Sequence, residues 1–475
     1  MLAKRDLLTD EHVVRFRDEA DLNRLVSLAR EVGLEVAGRL DALRLVRFRS
    51  KSGDQWRNLS EKLGADCEVS ANYAVRMPVN PVGKPGKTAE VEAASSYVPF
   101  AGNYLNWLGV ENNANWGKGI LVAVIDSGVG EHPDFAGKGL TCVDLIQGSG
   151  EDAKVVNGHG TAVASLIVGA HGVAPAADLL SIRVLSNEGV SDEFTLAQGL
   201  IMAADQGARV INLSLGSYGD GAVLREAVEY ARQKGAIIVA AAGNDGLNDV
   251  AYPAKYEDVV AVGAVDAAGN HVDFSNQGKV NLTAPGYGVH AAWPENRMVS
   301  MSGTSGAAPL VSGALAGLLS ENPGMSANEA VELLQRYSDD SGPAGLDAQY
   351  GSGILDVGWV MSRNQPGIYQ VAVSGIQILN PTTGNSEPQL AVGVQNRGTE
   401  TLPVVELEVL LGPNSQRFYF QNIDPSRTVC QLVPIGIFLS PHEKTMQVSV
   451  TARVSGVAGK NIKASSRKAV VRWGG

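Results

Sequence analysis

Residues 120–128 read ILVAVIDSG. Six apolar residues run without interruption into Asp126, Ser127 and Gly128. A strand with one wet face would alternate; an unbroken apolar run closed by turn residues predicts a strand buried on both faces, as in a covered parallel sheet. The same grammar recurs in LLSIRVL (179–185), ARVINLSLG (208–216), AIIVAAAGN (236–244) and VVAVGAVD (259–266). Between these runs lie helical stretches: TAVASLIVGA (161–170), DEFTLAQGLIMAADQG (192–207) and AVLREAVEYARQKG (222–235). Strands alternating with helices predict an α/β unit, a parallel sheet with helices on both faces. Right-handed crossovers then bring the carboxyl ends of the strands to one edge.

On either side the pattern changes. Residues 1–87 read as a small α+β unit: HVVRF (12–16) and LRLVRFRS (43–50) alternate as half-buried strands, and CEVSANYAVRM (67–77) reads as a third. DEADLNRLVSLAREVGLEV (18–36) carries apolar residues at helical spacing until Gly33, and DQWRNLSEKLGA (54–65) reads as a second helix. With a further strand near Glu35–Leu40 the order is β-α-β-β-α-β, which is ferredoxin-like. PVNPVGKPGKTAEVEAASS (78–96) is rich in proline and glycine and poor in bulky residues, an exposed connection. The division expected is therefore 1–87, a linker over 88–97, an α/β domain over 98–362 and a last domain over 366–475. That last part offers IYQVAVSGIQIL (368–379), QLAVGVQNRG (389–398), PVVELEVLLG (403–412), RFYFQNI (417–423), TMQVSVTARV (445–454) and KAVVRW (468–473). Short alternating strands without helices predict an Ig-like β-sandwich.

A chain of 475 residues exceeds one ordinary domain. Its net charge of −11 argues against nucleic acid as a partner. The acidic excess lies beyond the front unit, so a neutral-to-basic segment could dock on an acidic body. Cys67, Cys142 and Cys430 are scattered and odd in number, which gives neither a disulfide framework nor a metal spacing. No run of about 18 apolar residues predicts a membrane span. MLAKRDLLTDEHVVRF (1–16) has no apolar h-region, which reads as no signal peptide in this sequence; a cytoplasmic protein and one whose leader has been trimmed both fit.

Three segments carry chemistry-bearing residues to the predicted edge. Asp126 ends a strand, His159 opens a helix in NGHGTAVAS (157–165), and Ser305 opens another in MSGTSGAAPLVSGALAGLL (301–319). A serine hydroxyl is a weak nucleophile unless an imidazole takes its proton. A buried carboxylate fixes the imidazole tautomer and stabilises the imidazolium. A serine at a helix amino terminus also meets the positive end of the dipole as negative charge builds beside it.

DSGVGEHPDF (126–135), NGHGTAVAS, LSLG (213–216), AAAGNDG (240–246), YPAKYEDVVAVGAVD (252–266) and SGTSGAAPLVSGALA (302–316) resemble, in order and approximate spacing, the subtilisin-like serine peptidases. The order Asp, His, Ser along the chain is that family's own pattern. The resemblance covers about residues 95–362. It implies an endopeptidase acting on protein or peptide substrates through an acyl-enzyme. It makes Asp126 the orienting acid, His159 the base, Ser305 the nucleophile and Asn244 the side-chain oxyanion donor. It implies that Ser214, Leu215 and Gly216 pair with substrate backbone as an added strand. Ala240, Ala241 and Gly243 would wall the pocket for the residue before the cut, with Ala251 near its floor.

The resemblance also makes the front unit an inhibitory pro-region, the enzyme's own intramolecular partner. SSYVPF (95–100) resembles a mature amino terminus, so self-cleavage is expected near Ala94–Ser95, within 83–98. It favours secretion, against the absence of an h-region. No cofactor is needed for the chemistry. GAHGVAPAADLLSIRVL (169–185) lacks a loop that carries calcium in many relatives; structural calcium is not assigned, although acidic loops such as Asp144–Asp152 exist. Two departures stand out: Gly306 where the family usually has Met, and Ala162 where it usually has a second His. They motivate one competing reading, a catalytically silent binding scaffold on the same fold.

Overall fold

The computed structural model describes residues 6–63, 67–78, 97–146, 157–379, 387–435, 445–457 and 462–472. The linker over 88–97 is described only from Tyr97, so the expected junction near Ala94–Ser95 lies outside the described residues.

The front unit runs β1 (Leu7–Arg15), α1 (Glu19–Glu31), β2 (Glu35–Leu40), β3 (Leu45–Arg49), α2 (Gly53–Leu63) and β4 (Val69–Arg76). Its strands lie in the order β2-β3-β1-β4, all antiparallel, the ferredoxin-like arrangement. Asp18 caps α1 by accepting from Asp21 N. Gly33, at φ 78°, ends that helix in a conformation other residues resist. Strand alternation buries two different faces. Val14, Val46 and Phe48 pack under α1 and α2 with Leu22, Leu25 and Leu59. Val13, Leu45 and Val75 point the other way, into the core of the following domain.

That domain contains α3 (Tyr104–Trp107), β5 (Leu121–Asp126), β6 (Leu140–Asp144), α4 (His159–Val168), β7 (Asp178–Arg183), β8 (Val190–Asp192), α5 (Glu193–Asp205), β9 (Val210–Leu213), α6 (Ala222–Gln233), β10 (Ile237–Ala241), β11 (Val259–Val265), β12 (Leu282–Pro285), β13 (Val289–Trp293), β14 (Arg297–Met301), α7 (Thr304–Glu321), α8 (Ala327–Arg336) and α9 (Val357–Ser362). Seven strands form one parallel sheet in the order β12-β11-β10-β9-β5-β7-β6. Val122 and Val124 face the core that α4 and α7 cover, while Ala123 and Ile125 face the core of α5 and α6. The unbroken apolar run is thus explained by two covered faces. β5 lies between β7 and β9, and from it the chain winds first to one side and later to the other. Such a switch point opens a crevice at the strands' carboxyl ends.

β8 pairs with β4, so the front unit's sheet gains its fifth strand from the α/β domain. The junction is also polar. Arg47 Nη1 meets Asp192 Oδ2 at 2.8 Å, and its guanidinium lies 4.8 Å from the centre of the Phe194 ring. Asn72 donates to Asp192 Oδ1 (3.1 Å) and accepts from Phe194 N (3.2 Å).

The carboxyl-terminal part is a β-sandwich of β15 (Tyr369–Leu379), β16 (Gln389–Asn396), β17 (Leu402–Leu411), β18 (Asn414–Ile423), β19 (Thr428–Pro434), β20 (Thr445–Ser455), β21 (Ile462–Lys463) and β22 (Ser465–Arg472). The sheets are β19-β16-β15-β21 and β18-β17-β20-β22. Val392, Val394, Leu407 and Val409 fill the space between them. β19 was not among the expected strands, because TVCQLVP alternates only weakly. Among the described residues no helix is long and apolar enough to cross a membrane.

Candidate active site

Asp126, His159 and Ser305 are all buried, at 0%, 8% and 2% exposure. Asp126 stands at the carboxyl end of β5, at the switch point. Its carboxylate accepts from Ser127 N (2.7 Å) and faces His159 Nδ1 with both oxygens, at 2.9 and 3.0 Å. Nδ1 therefore carries the proton toward Asp126, which leaves Nε2 as the basic nitrogen.

The turn after β5 locks onto the start of α4. Ser127 Oγ donates to Asn157 O (2.9 Å) and accepts from Gly160 N (3.0 Å), and Thr161 Oγ1 accepts from Gly130 N (2.9 Å). Asn157 Oδ1 accepts from His159 N (3.1 Å). Gly160 has to be glycine here: a Cβ would lie 2.4 Å from Gly128 O.

Ser305 lies in the first turn of α7, whose N–H groups have no intrahelical acceptor. Its hydroxyl donates to Ser214 O at 3.4 Å, a weak bond. Its carbonyl accepts from Ser214 Oγ (3.1 Å). That carbonyl is free to do so because the residue four further on is Pro309, which has no N–H. Asn212 Nδ2 donates to Ser214 Oγ (3.1 Å), and Ser312 Oγ donates to Asn212 Oδ1 (2.9 Å). A buried polar chain thus ties β9 to α7 beneath the serine.

Asn244 Oδ1 accepts from both Thr304 N and Thr304 Oγ1 at 2.9 Å. This turns its amide nitrogen over Gly303, where a Cβ would lie 2.7 Å from it. Asn276 holds the loop that carries Asn244: its Oδ1 accepts from Asp245 N (3.1 Å) and Leu247 N (3.0 Å), and its Nδ2 donates to Ala242 O (3.1 Å).

Gly216 packs against Ala251; a Cβ on Gly216 would stand 3.0 Å from the Ala251 Cβ. Gly243 N donates to Thr304 Oγ1 at 3.2 Å. Ala240 and Ala241 have their side chains in the cores on opposite faces of the sheet, and Leu215 is equally buried. The side chains of these three are therefore taken up by the cores. Ala162 is a buried helix residue in the core. Gly306 has room: a Cβ there would meet only Met301 side-chain atoms at 3.6 Å or more.

Of the acidic stretch Asp144–Asp152, Asp144 is engaged by Arg183 Nη1 (3.0 Å) and Ile146 N (2.8 Å), and the rest lies largely outside the described residues. Among the described residues no group of three His, Cys, Asp or Glu side chains could hold a metal. The three cysteines are free, and burial pushes each thiol's pKa up, away from nucleophile chemistry.

The end of the front unit pairs with Gly216 and Gly189. Arg76 N donates to Gly216 O (2.9 Å), Gly216 N to Arg76 O (3.0 Å), and Met77 N to Gly189 O (2.9 Å). The end of β4, continued by Met77, thus runs as an added strand between Gly189–Asp192 and Gly216.

The profile of the subtilase family (Peptidase_S8) matches residues 117–353. The chain is 37% identical to the thermostable alkaline protease of Halalkalibacterium halodurans over 57% of its own length and 75% of that protein. It is 36% identical to Subtilisin Savinase of Lederbergia lenta over 54% of its own length and 97% of that protein. Its fold is similar to the crystal structure of fervidolysin from Fervidobacterium pennivorans, a keratinolytic enzyme related to subtilisin. The TM-score is 0.65 at 21% identity, over 99% of this chain and 77% of that one. With an aspartate–histidine pair at the switch point of its sheet, a serine at a helix start and these relatives, the chain belongs to the subtilase family and is a subtilisin-like serine endopeptidase.

Proposed function

We propose that Asp126, His159, Ser305 and Asn244 carry the hydrolysis, and that the front unit is an inhibitory pro-region from which the enzyme frees itself. The single supporting observation is the Asp126–His159 pair at the strand end, together with a helix-start serine whose hydroxyl and carbonyl are both tethered to Ser214. His159 Nε2 takes the Ser305 proton as Oγ adds to the substrate carbonyl carbon. Asp126 keeps the ring oriented and stabilises the imidazolium. The Ser305 N–H and the Asn244 amide face the developing oxyanion. The proton then passes to the departing amine, and water resolves the ester by the reverse path. Gly216 pairs with substrate backbone, and the small residues Gly243 and Ala251 favour an apolar residue before the cut. Entry of β4 into the cleft, its pairing with β8 and the Arg47–Asp192 contact support the pro-region assignment.

Intact mass and amino-terminal sequencing of wild type beside Ser305→Ala test this. Wild type should lose the front unit and Ser305→Ala should stay whole. Equal behaviour of the two, with no fluorophosphonate labelling of wild type, would sink the assignment.

A further inference from the structure

The pro-region tail carries its own register mark. In an antiparallel pair, hydrogen-bonded residue pairs alternate with unbonded ones. Arg76 and Gly216 exchange both bonds, so they form a bonded pair. Two residues on, the same alternation would set Pro78 opposite Ser214. Met77 fixes the other side: its sulfur lies 4.0 Å from Asn157 Nδ2, and Asn157 Oδ1 accepts from His159 N. Ser214 in turn holds Ser305 through both its carbonyl and its hydroxyl. Continued in this register, the chain carries the Pro78 carbonyl toward the nucleophile, which puts the cut at the 78–79 bond and not near Ala94–Ser95.

Proline has no N–H to give Ser214 O. In the structure that oxygen takes the Ser305 hydroxyl instead, the proton that should go to His159. We propose that Pro78 is a brake on self-cleavage: it seats the pro-region tail as a substrate does, yet withholds the backbone bond that would align it and leaves Ser214 O competing for the nucleophile. This reading rests on the pro-region and catalytic assignments above. The braked step is ordinary acyl transfer. Ser305 Oγ bonds to the Pro78 carbonyl carbon, the C–N bond to the next residue breaks, and its amine leaves with the proton relayed by His159. Water then hydrolyses the ester.

The test uses full-length wild type, Pro78→Ala, and Pro78→Ala combined with Ser305→Ala, each followed by intact mass and amino-terminal sequencing. Fluorophosphonate labelling continues over hours. Restoring one backbone donor should release a chain beginning at residue 79 about fivefold faster or more, the worth of one ordinary hydrogen bond. The double variant should stay whole. If Pro78→Ala is cut after residue 78 no faster than wild type while Ser305 still labels, the brake is refuted and the peptidase assignment stands. If neither wild type nor Pro78→Ala labels, the catalytic assignment fails and takes the brake with it.

Discussion

Asn244 shows how much one side chain's orientation depends on its neighbour. Its oxygen is occupied twice by Thr304, which leaves only the amide end to face the crevice over Gly303. Truncation to alanine removes a donor that matters when the oxyanion forms, and little that matters in the ground state. Asn244→Ala should therefore lower kcat by about 10²–10³ with KM nearly unchanged. That magnitude was established on an enzyme of this same family and does not come from the present geometry. Steady-state kinetics on a peptide substrate check it; a KM effect without a kcat effect would assign Asn244 to substrate binding.

At the level of elements, the site is a set of junctions between strand ends and helix starts. The β5–α4 junction is the tightest, because Gly160 sits against the Gly128 carbonyl. Gly160→Ala forces one of two backbones to move, and His159 is the adjoining residue. We expect a loss of about 1–3 kcal/mol in stability from overpacking. A fall in kcat of about tenfold or more should accompany it, since small displacements of a base are costly. Thermal melts and kinetics on the same sample separate the two effects. Strand ends and helix starts were legible in the sequence because apolar runs and glycines mark them: 120–126 ends a strand, and 157–165 and 301–305 open helices, as their patterns predict. The supports were not legible. Asn212, Ser312 and Asn276 are ordinary residues by type, and only the fold makes Asn212 and Ser312 a buried chain beneath Ser305. Pro309 read as one more residue of a helix, and its missing N–H has meaning only once Ser214 is seen to use the freed carbonyl. The hairpin β13–β14 likewise lacked a pattern distinct from loop.

Across the whole molecule, the front unit and the α/β domain share one core and one sheet, and an unusual carboxyl is sealed at their boundary. Glu193, first residue of α5, is fully buried against Gly221, with neither oxygen in a full hydrogen bond. Burial, then the nearby Asp220, Asp192 and Asp6, push its pKa up to about 9, against a backbone contact from Gly221 that pulls it down. Asp6 belongs to the front unit; Arg47, on Asp192, is the cation from that side, and Tyr256 lies on the other. The folded carboxyl thus binds its proton more tightly than the unfolded one. Its contribution to stability is fully present below the unfolded pKa of 4.5 and is lost as pH rises toward and through about 9. An ionised Glu193 would stand among like charges with no solvent, and the cheapest escape is for the front unit to lift off. The assembled chain should therefore loosen progressively as pH rises from about 4.5 to about 9, with a falling Tm and faster proteolysis of the front unit. Glu193→Gln, neutral at every pH, should flatten that dependence. Melting curves of the two chains in a Ser305→Ala background, where self-cleavage cannot interfere, measure it; parallel pH profiles would show that Glu193 does not govern the docking of the two units.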